Sequence, residues 1–346
     1  MWAYNLHGIS DLRYEEVSIP EVEDGWVLVE VKAAGICGSD IPRIFETGTY
    51  HFPLIPGHEF SGIVREVSKE GNENLLGKRV GVFPLIPCKV CDSCKQQNYE
   101  TCSNYSYLGS RIDGGFAEYV KVPEWNVIEL PDAILFEEAA LLEPISVALH
   151  ALRNINFSNI DSALIYGIGP IGLVVAQWLR TFEVKNIFLV ANKEEQIVIA
   201  KELDLYNSVN SKTTNVENWV LENTDNQGMT LVIEGVGTDD AMEKCITYTA
   251  SNGVLITLAN PKGDMQLKKN TYWQILRKQI TIYGTWNSRF GVNENNDWTR
   301  SIKALLDKQI RVEPLITHKL SFENLPIGLE MMKNKNEFYS KVMIIR

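Results

Sequence analysis

The apolar positions fall into two textures. From residue 1 to about 150 they come in short runs broken by Gly and Pro, as in VLVEVKAAGICG (27–38) and FSGIVREV (60–67). Short runs that alternate or stay apolar between such breakers read as strands and loops. From about residue 160 the pattern alternates between strand and helix. ALIYG (163–167) is a strand and GPIGLVVAQWLRTF (169–182) a helix opening in glycines. NIFLV (186–190) and EEQIVIAKEL (194–203) repeat that pair, and TLVIEGVG (230–237), GVLITLA (253–259) and ITIYGTW (280–286) continue the strands. Strands separated by helices of this length predict a parallel, doubly wound α/β sheet. One further helix, WTRSIKALLDKQI, precedes the strand-like ITHKLSF and KVMIIR. No repeat, low-complexity tract or long linker interrupts the 346 residues, a length that suits two domains.

Composition narrows the function. A net charge of -11 argues against nucleic acid, whose phosphates require basic surface. No apolar run reaches the roughly 20 residues of a membrane span. MWAYNLHGISDLRYEE has neither the basic nor the apolar region of a secretory signal, so the expected compartment is the cytoplasm. Thiols stay reduced there, which bears on the six cysteines.

Four of them, Cys88, Cys91, Cys94 and Cys102, form C-x2-C-x2-C-x7-C. In a reducing compartment this loop suits one tetrahedral zinc with four thiolates and no open position, a structural site. Cys37, in AGICGSD, has candidate partners in His58 and Glu59 of GHEFSG and in Glu143 of AALLEPISVALH. A carboxylate among such apolar residues is costly unless paired or metal-bound; as an alternative, Glu143 is a helix N-terminal charge beside Pro144. Sulfur, imidazole and carboxylate together suit a zinc with one position open to substrate. Cys245 reads as core.

Gly167-Ile168-Gly169-Pro170-Ile171-Gly172 is a GxGxxG that follows a strand and opens a helix. That context makes it a dinucleotide site, with the helix N-terminus facing the pyrophosphate. The end of the next strand sets the cofactor. Where an NAD site carries a carboxylate for the ribose, this chain has Ala191, then Asn192 and Lys193. Space and a cation suit the 2′-phosphate of NADP; alternatively Glu194 or Glu195 binds the hydroxyl of NAD, or both cap the next helix.

CGSD, GHEFSG, the four-cysteine lobe, the Glu-Pro pair and GxGxxG occur here in the order in which zinc-dependent medium-chain dehydrogenases/reductases carry them, and the chain resembles that family, in its polyol branch, along its whole length. The resemblance implies a GroES-like, β-rich catalytic domain from residues 1–150 and 288–346, with a structural zinc lobe at 87–103. A Rossmann domain over 151–287 would be inserted between. It implies two zinc ions per chain, the catalytic one held by Cys37, His58 and Glu143 with Glu59 as an exchangeable fourth ligand. Ser39 would relay the substrate proton, and the chain would form a homodimer or homotetramer. The chain departs from the family at Ile41-Pro42-Arg43, where many members have a relay histidine, and at Ala191, where polyol members mostly have an acid.

The implied reaction is reversible oxidation of a secondary alcohol of a polyol or polyol phosphate with NADP or NAD. Arg43 and Arg111, the latter in LGSRIDGG, are the candidate cations for a substrate phosphate; alternatively they form ordinary salt bridges, with Asp40 or Asp113. Rival readings are a dehydrogenase of unphosphorylated polyols or of threonine and, in another class, a catalytically dead redox sensor.

Overall fold

A computed structural model describes residues 1–261, 263–291 and 296–346. They form two compact units, Met1–Ser146 with Ser288–Asp307 and Leu315–Arg346, and Val147–Asn287 with Lys308–Pro314.

The first unit is built on a sheet in the order Ile316–Ser321, Lys341–Ile345, Trp26–Ile36, Glu59–Val67, Arg79–Val82, Val127–Glu129. Tyr119–Pro123 pairs with the first half of Trp26–Ile36. Val27, Val29, Val31 and Val64, Val80, Val82 are buried in its core with Phe60, Phe116 and Val342, as the alternation of these runs predicts. The C-terminal strand lies antiparallel beside Trp26–Ile36, with Val342 opposite Ile36. That register brings Lys341 to Cys37 from the far end of the chain. Gly35 in the same strand makes room for a neighbour: a Cβ there would run into the Glu59 carboxylate.

The second unit holds a six-stranded sheet, parallel throughout, in the order Ser208–Asn210, Asn186–Ala191, Ser162–Tyr166, Met229–Glu234, Thr249–Thr257, Thr281–Gly284. Numbered along the unit this is 3-2-1-4-5-6, the doubly wound dinucleotide order, with its switch point between the first and fourth strands. The strand Ser208–Asn210 was not expected from the sequence, because two of its three residues are polar. Lys308–Pro314, expected in the catalytic domain, belongs to this unit. Gln177 of the helix Pro170–Thr181 exchanges two hydrogen bonds with the Arg311 backbone, and the Arg311 guanidinium pairs with Asp204 at 2.7 Å. Cys245 is fully buried in the core of this unit with Ile246 and Met229.

Candidate metal centres and cofactor turn

The four lobe cysteines gather with all their sulfurs within 4.8 Å of one another. Cys88 and Cys94 are 3.9 Å apart and Cys91 and Cys102 3.8 Å. A tetrahedron with zinc–sulfur bonds of 2.3 Å has edges of about 3.8 Å, so the spacing fits the ion. Backbone amides aim at the sulfurs: Cys88 N–H donates to Cys102 and Cys91 N–H to Cys88. The amides of Cys94 and Ser103 lower the Cys91 thiol to about 5, which favours the thiolate that binds metal. Stacked and edge-on rings of Tyr99, Trp125, Phe290, Phe83 and Trp298 hold the lobe against the unit. Arg289 bridges the same elements by pairing with buried Glu100 at 3.0 Å.

The second cluster is Cys37, His58 and Glu59, whose ligand atoms also lie within 4.8 Å of one another. Cys37 directly follows one strand and Glu59 begins its antiparallel neighbour, with Gly35 opposite Glu59, so sheet register makes this meeting. The Ser39 hydroxyl donates to the Cys37 sulfur at 3.3 Å. Glu143 stands beside this set rather than within it. It lies in the first turn of the helix Leu142–Ala151 and is buried, and the Tyr107 hydroxyl donates to its Oε1 at 3.3 Å.

Three partners of these residues escaped the sequence reading. Buried Lys341 donates to both oxygens of Glu59, at 2.8 and 2.6 Å. Tyr107 holds Glu143 and packs its ring 5.8 Å from that of His58. Asp40, fully buried, accepts from the Cys37 backbone at 2.9 Å and lies 3.4 Å from His58 Nδ1. Only Asp40 had a local signal, three residues after Cys37. Burial alone would raise the Asp40 carboxyl, but His58, Arg43 and the Cys37 amide hold it below its ordinary value. Burial alone would lower His58, but Asp40 and Cys37 bring it well above the ordinary imidazole range.

Charge and polar satisfaction together fit a divalent cation here. His58 Nδ1 is buried without a hydrogen-bond partner of good geometry. With a metal bound, His58 neutral, Cys37 as thiolate and Glu59, Glu143 and Asp40 as carboxylates, four negative charges would face two cations, Lys341 and Arg43. The two positive charges of a zinc ion would balance the rest.

The two arginines read as phosphate ligands have partners inside the fold. Arg43 pairs with Asp40 at 2.7 Å. The Arg111 guanidinium lies 4.3 Å from the ring of Tyr50 and 4.2 Å from that of Tyr105, and donates to the Tyr105 carbonyl and the Tyr50 hydroxyl.

In the second unit the glycine turn leaves the first strand and enters the helix Pro170–Thr181, with Gly169 as N-cap and Pro170 in the first turn. Gly167 has φ +104°, the left-handed region that glycine tolerates. Around Gly169 a Cβ would meet nothing within 4 Å, so the backbone is open to a pyrophosphate there. At Gly172 a Cβ would lie 2.5 Å from the Gly167 carbonyl, so helix and turn pack too closely for a side chain. Ile171 follows Pro170 in the same turn, and Ala191, Asn192 and Lys193 close the adjacent strand.

Residues 23–132 match the alcohol dehydrogenase GroES-like domain and residues 170–307 the zinc-binding dehydrogenase domain. Galactitol 1-phosphate 5-dehydrogenase of Escherichia coli K12 is 31% identical over 338 residues, 96% of each chain. The chain belongs to the zinc-binding dehydrogenases. Sorbitol dehydrogenase of Bacillus subtilis 168 is a second relative, 27% identical over 99% of this dehydrogenase and 97% of its own length. The crystal structure of Escherichia coli galactitol-1-phosphate dehydrogenase matches with a TM-score of 0.91 at 29% identity, covering all of both chains. This is therefore an NAD(P)-dependent dehydrogenase of the polyol family, with the GroES-like and Rossmann folds expected from the motifs. No helix among its described residues is long and apolar enough to cross a membrane.

The buried carboxylates give the zinc-free dehydrogenase a distinctive pH response. Burial, helped by the charge of Glu59, raises Glu143 from the usual 4.5 to about 7, while His58, Lys341 and the Tyr107 hydroxyl hold it down. Between those values the folded state binds the extra proton, so stability falls as pH rises through the window. The raised pKa of His58 acts in the same direction above 6.5. Asp40, whose pKa is lowered from 3.8, changes stability below that window. Urea unfolding of protein depleted of the zinc at Cys37, His58 and Glu59 but keeping the four-cysteine zinc is expected to lose on the order of 3 kcal/mol from Glu143 between pH 4.5 and 7. Glu143→Gln should flatten this loss, and an unchanged slope would refute the assignment.

Proposed function

We propose that the protein reversibly oxidises a secondary alcohol of a polyol phosphate to the ketone, with NADP as the preferred hydride acceptor. The observation that carries the chemistry is the meeting of Cys37, His58 and Glu59 beside the Ser39 hydroxyl. Zinc held there, with Glu143 at its side, would supply the Lewis acidity that makes a bound alcohol acidic near neutral pH. Ser39, two residues from Cys37, would take the alcohol proton. Lys341 holds Glu59 by both oxygens, and Tyr107 holds Glu143, so the two carboxylates have separate anchors. Asp40 orients His58 and is itself held by Arg43, the outer layer that fixes a ligand's direction. Cys88, Cys91, Cys94 and Cys102 would hold the second, structural zinc. Gly167, Gly169, Pro170, Ile171 and Gly172 would receive the pyrophosphate.

The phosphorylated substrate is supported by the 31% identical relative, which is named for galactitol 1-phosphate. Arg43 and Arg111 would meet the phosphate with N–H donors beyond those already bonded. A free polyol is the second reading, favoured by the partners that both guanidiniums already have and by the sorbitol dehydrogenase relative. A panel of hexitol 1-phosphates, pentitol phosphates and the free polyols, each with NAD and NADP, separates the two. The expected outcome is a kcat/KM at least tenfold higher for one phosphorylated polyol than for its free form. Equal values would leave a plain polyol dehydrogenase.

A further inference from the structure

Two neighbouring strands end at the carboxyl edge of the second unit's sheet beside the glycine turn, and the sequence drew attention to one of them. Ala191 at the end of Asn186–Ala191 lies opposite Asn210 at the end of Ser208–Asn210, in parallel register. The Ser211 N–H donates to the Ala191 carbonyl at 2.9 Å. The turn Asn210-Ser211-Lys212 therefore lies directly against Ala191-Asn192-Lys193, at the carboxyl edge of the sheet where such folds bind ligands.

Asn210 organises that edge. It is buried, and its side-chain amide makes two hydrogen bonds of different kinds. Oδ1 accepts from the Lys212 N–H at 3.0 Å, which shapes the turn carrying Lys212. Nδ2 donates to Glu194 Oε1 at 2.6 Å. Glu194 is one of the two acids that could bind a ribose hydroxyl in place of the missing carboxylate at position 191. Its carboxylate is instead engaged by an amide on the adjacent strand. The Lys212 side chain is exposed, and its ammonium makes no ion pair among the described residues. Beside it, Ala191 is buried and uncharged where an aspartate would bring a negative charge.

We infer that Lys212 is a second cation of a 2′-phosphate subsite and that Asn210 is its positioning residue, shaping the Lys212 turn and holding Glu194 away from the ribose. This rests on the NADP reading above and adds residues from a strand that the sequence motif does not include. A phosphate carrying nearly two negative charges needs cations within hydrogen-bond reach, and the Lys212 turn lies against the one that carries Lys193. An unengaged Glu194 would repel the same phosphate.

The test uses the full chain and two probes lacking the nicotinamide, adenosine 2′,5′-bisphosphate and adenosine 5′-monophosphate, with affinities measured by calorimetry. Wild type is expected to prefer the bisphosphate. Lys212→Ala should weaken the bisphosphate by roughly ten- to a hundredfold and leave the monophosphate within about twofold. Asn210→Asp keeps the acceptor for the Lys212 amide but turns the donor facing Glu194 into a repelling charge. It should also weaken the bisphosphate, and Glu194→Gln in that background should restore part of the loss. No preference in wild type overturns the NADP reading and the inference with it. A wild-type preference that survives Lys212→Ala overturns the inference alone and leaves Lys193 as the cation. Unaltered bisphosphate binding by Asn210→Asp overturns the positioning role.

Discussion

Cys91→Ser is expected to unfold the lobe that the four cysteines close. The segment 87–103 contains one short helix, Asp92–Lys95, and one short 3-10 turn, Tyr99–Thr101, too little structure to fold on its own packing. What orders it is a centre whose sulfurs already lie 3.8 and 3.9 Å apart, together with the aromatic rings beneath. Structural zinc contributes about 10–16 kcal/mol of apparent binding energy in small zinc-dependent folds, and that energy is folding energy. Serine is a poor zinc ligand, and its shorter side chain opens one edge of the tetrahedron. The expected result is rapid proteolysis within 87–103, zinc content falling from two ions per chain to one, and loss of soluble protein on expression. Wild-type protein treated with a chelator should show the same cleavage site. A Cys91→Ser variant that keeps two zinc ions and resists protease would remove the structural-zinc assignment.

Lys341→Met is expected to destabilise the first unit by about 3–5 kcal/mol, the cost of leaving one member of a buried ion pair alone. Lys341 and Glu59 are both buried, and the ammonium holds both carboxylate oxygens within hydrogen-bond distance. Burial by itself would lower the Lys341 pKa, yet Glu59 and Cys37 raise it, so the group is charged and its loss leaves a bare carboxylate. Methionine preserves most of the volume, which keeps cavity formation out of the comparison. Urea midpoints of protein depleted of the zinc at Cys37, His58 and Glu59 but keeping the four-cysteine zinc measure the loss. The double variant Lys341→Met, Glu59→Gln should recover most of it, because the second change removes the stranded charge. Full stability of the single variant would show that Glu59 is neutral in the fold and that the pairing carries no weight.

The strand-and-helix alternation from residue 163 onward determined the doubly wound sheet, because period-two and period-3.6 burial leave different local signatures. The glycine turn and the four-cysteine spacing were legible for a similar reason: each is a short-range device whose geometry is fixed by residues close in sequence. Cys37, His58 and Glu59 were visible in the motifs AGICGSD and GHEFSG, and Glu143 as a carboxylate in an apolar run. Tertiary structure decided how they combine. It set Glu59 with Cys37 and His58 through antiparallel register, placed Glu143 at their side against Tyr107, and gave Arg43 and Arg111 partners within the fold. It also brought in Lys341, nearly three hundred residues from Glu59, through the pairing of the last strand with Trp26–Ile36. No local pattern can announce such a partner, because a lysine at the start of a strand reads as solvent-exposed until a neighbouring strand buries it. The strand Ser208–Asn210 shows the same limit: its three residues carry no apolar run, and only the backbone of Asn186–Ala191 beside them makes them a strand.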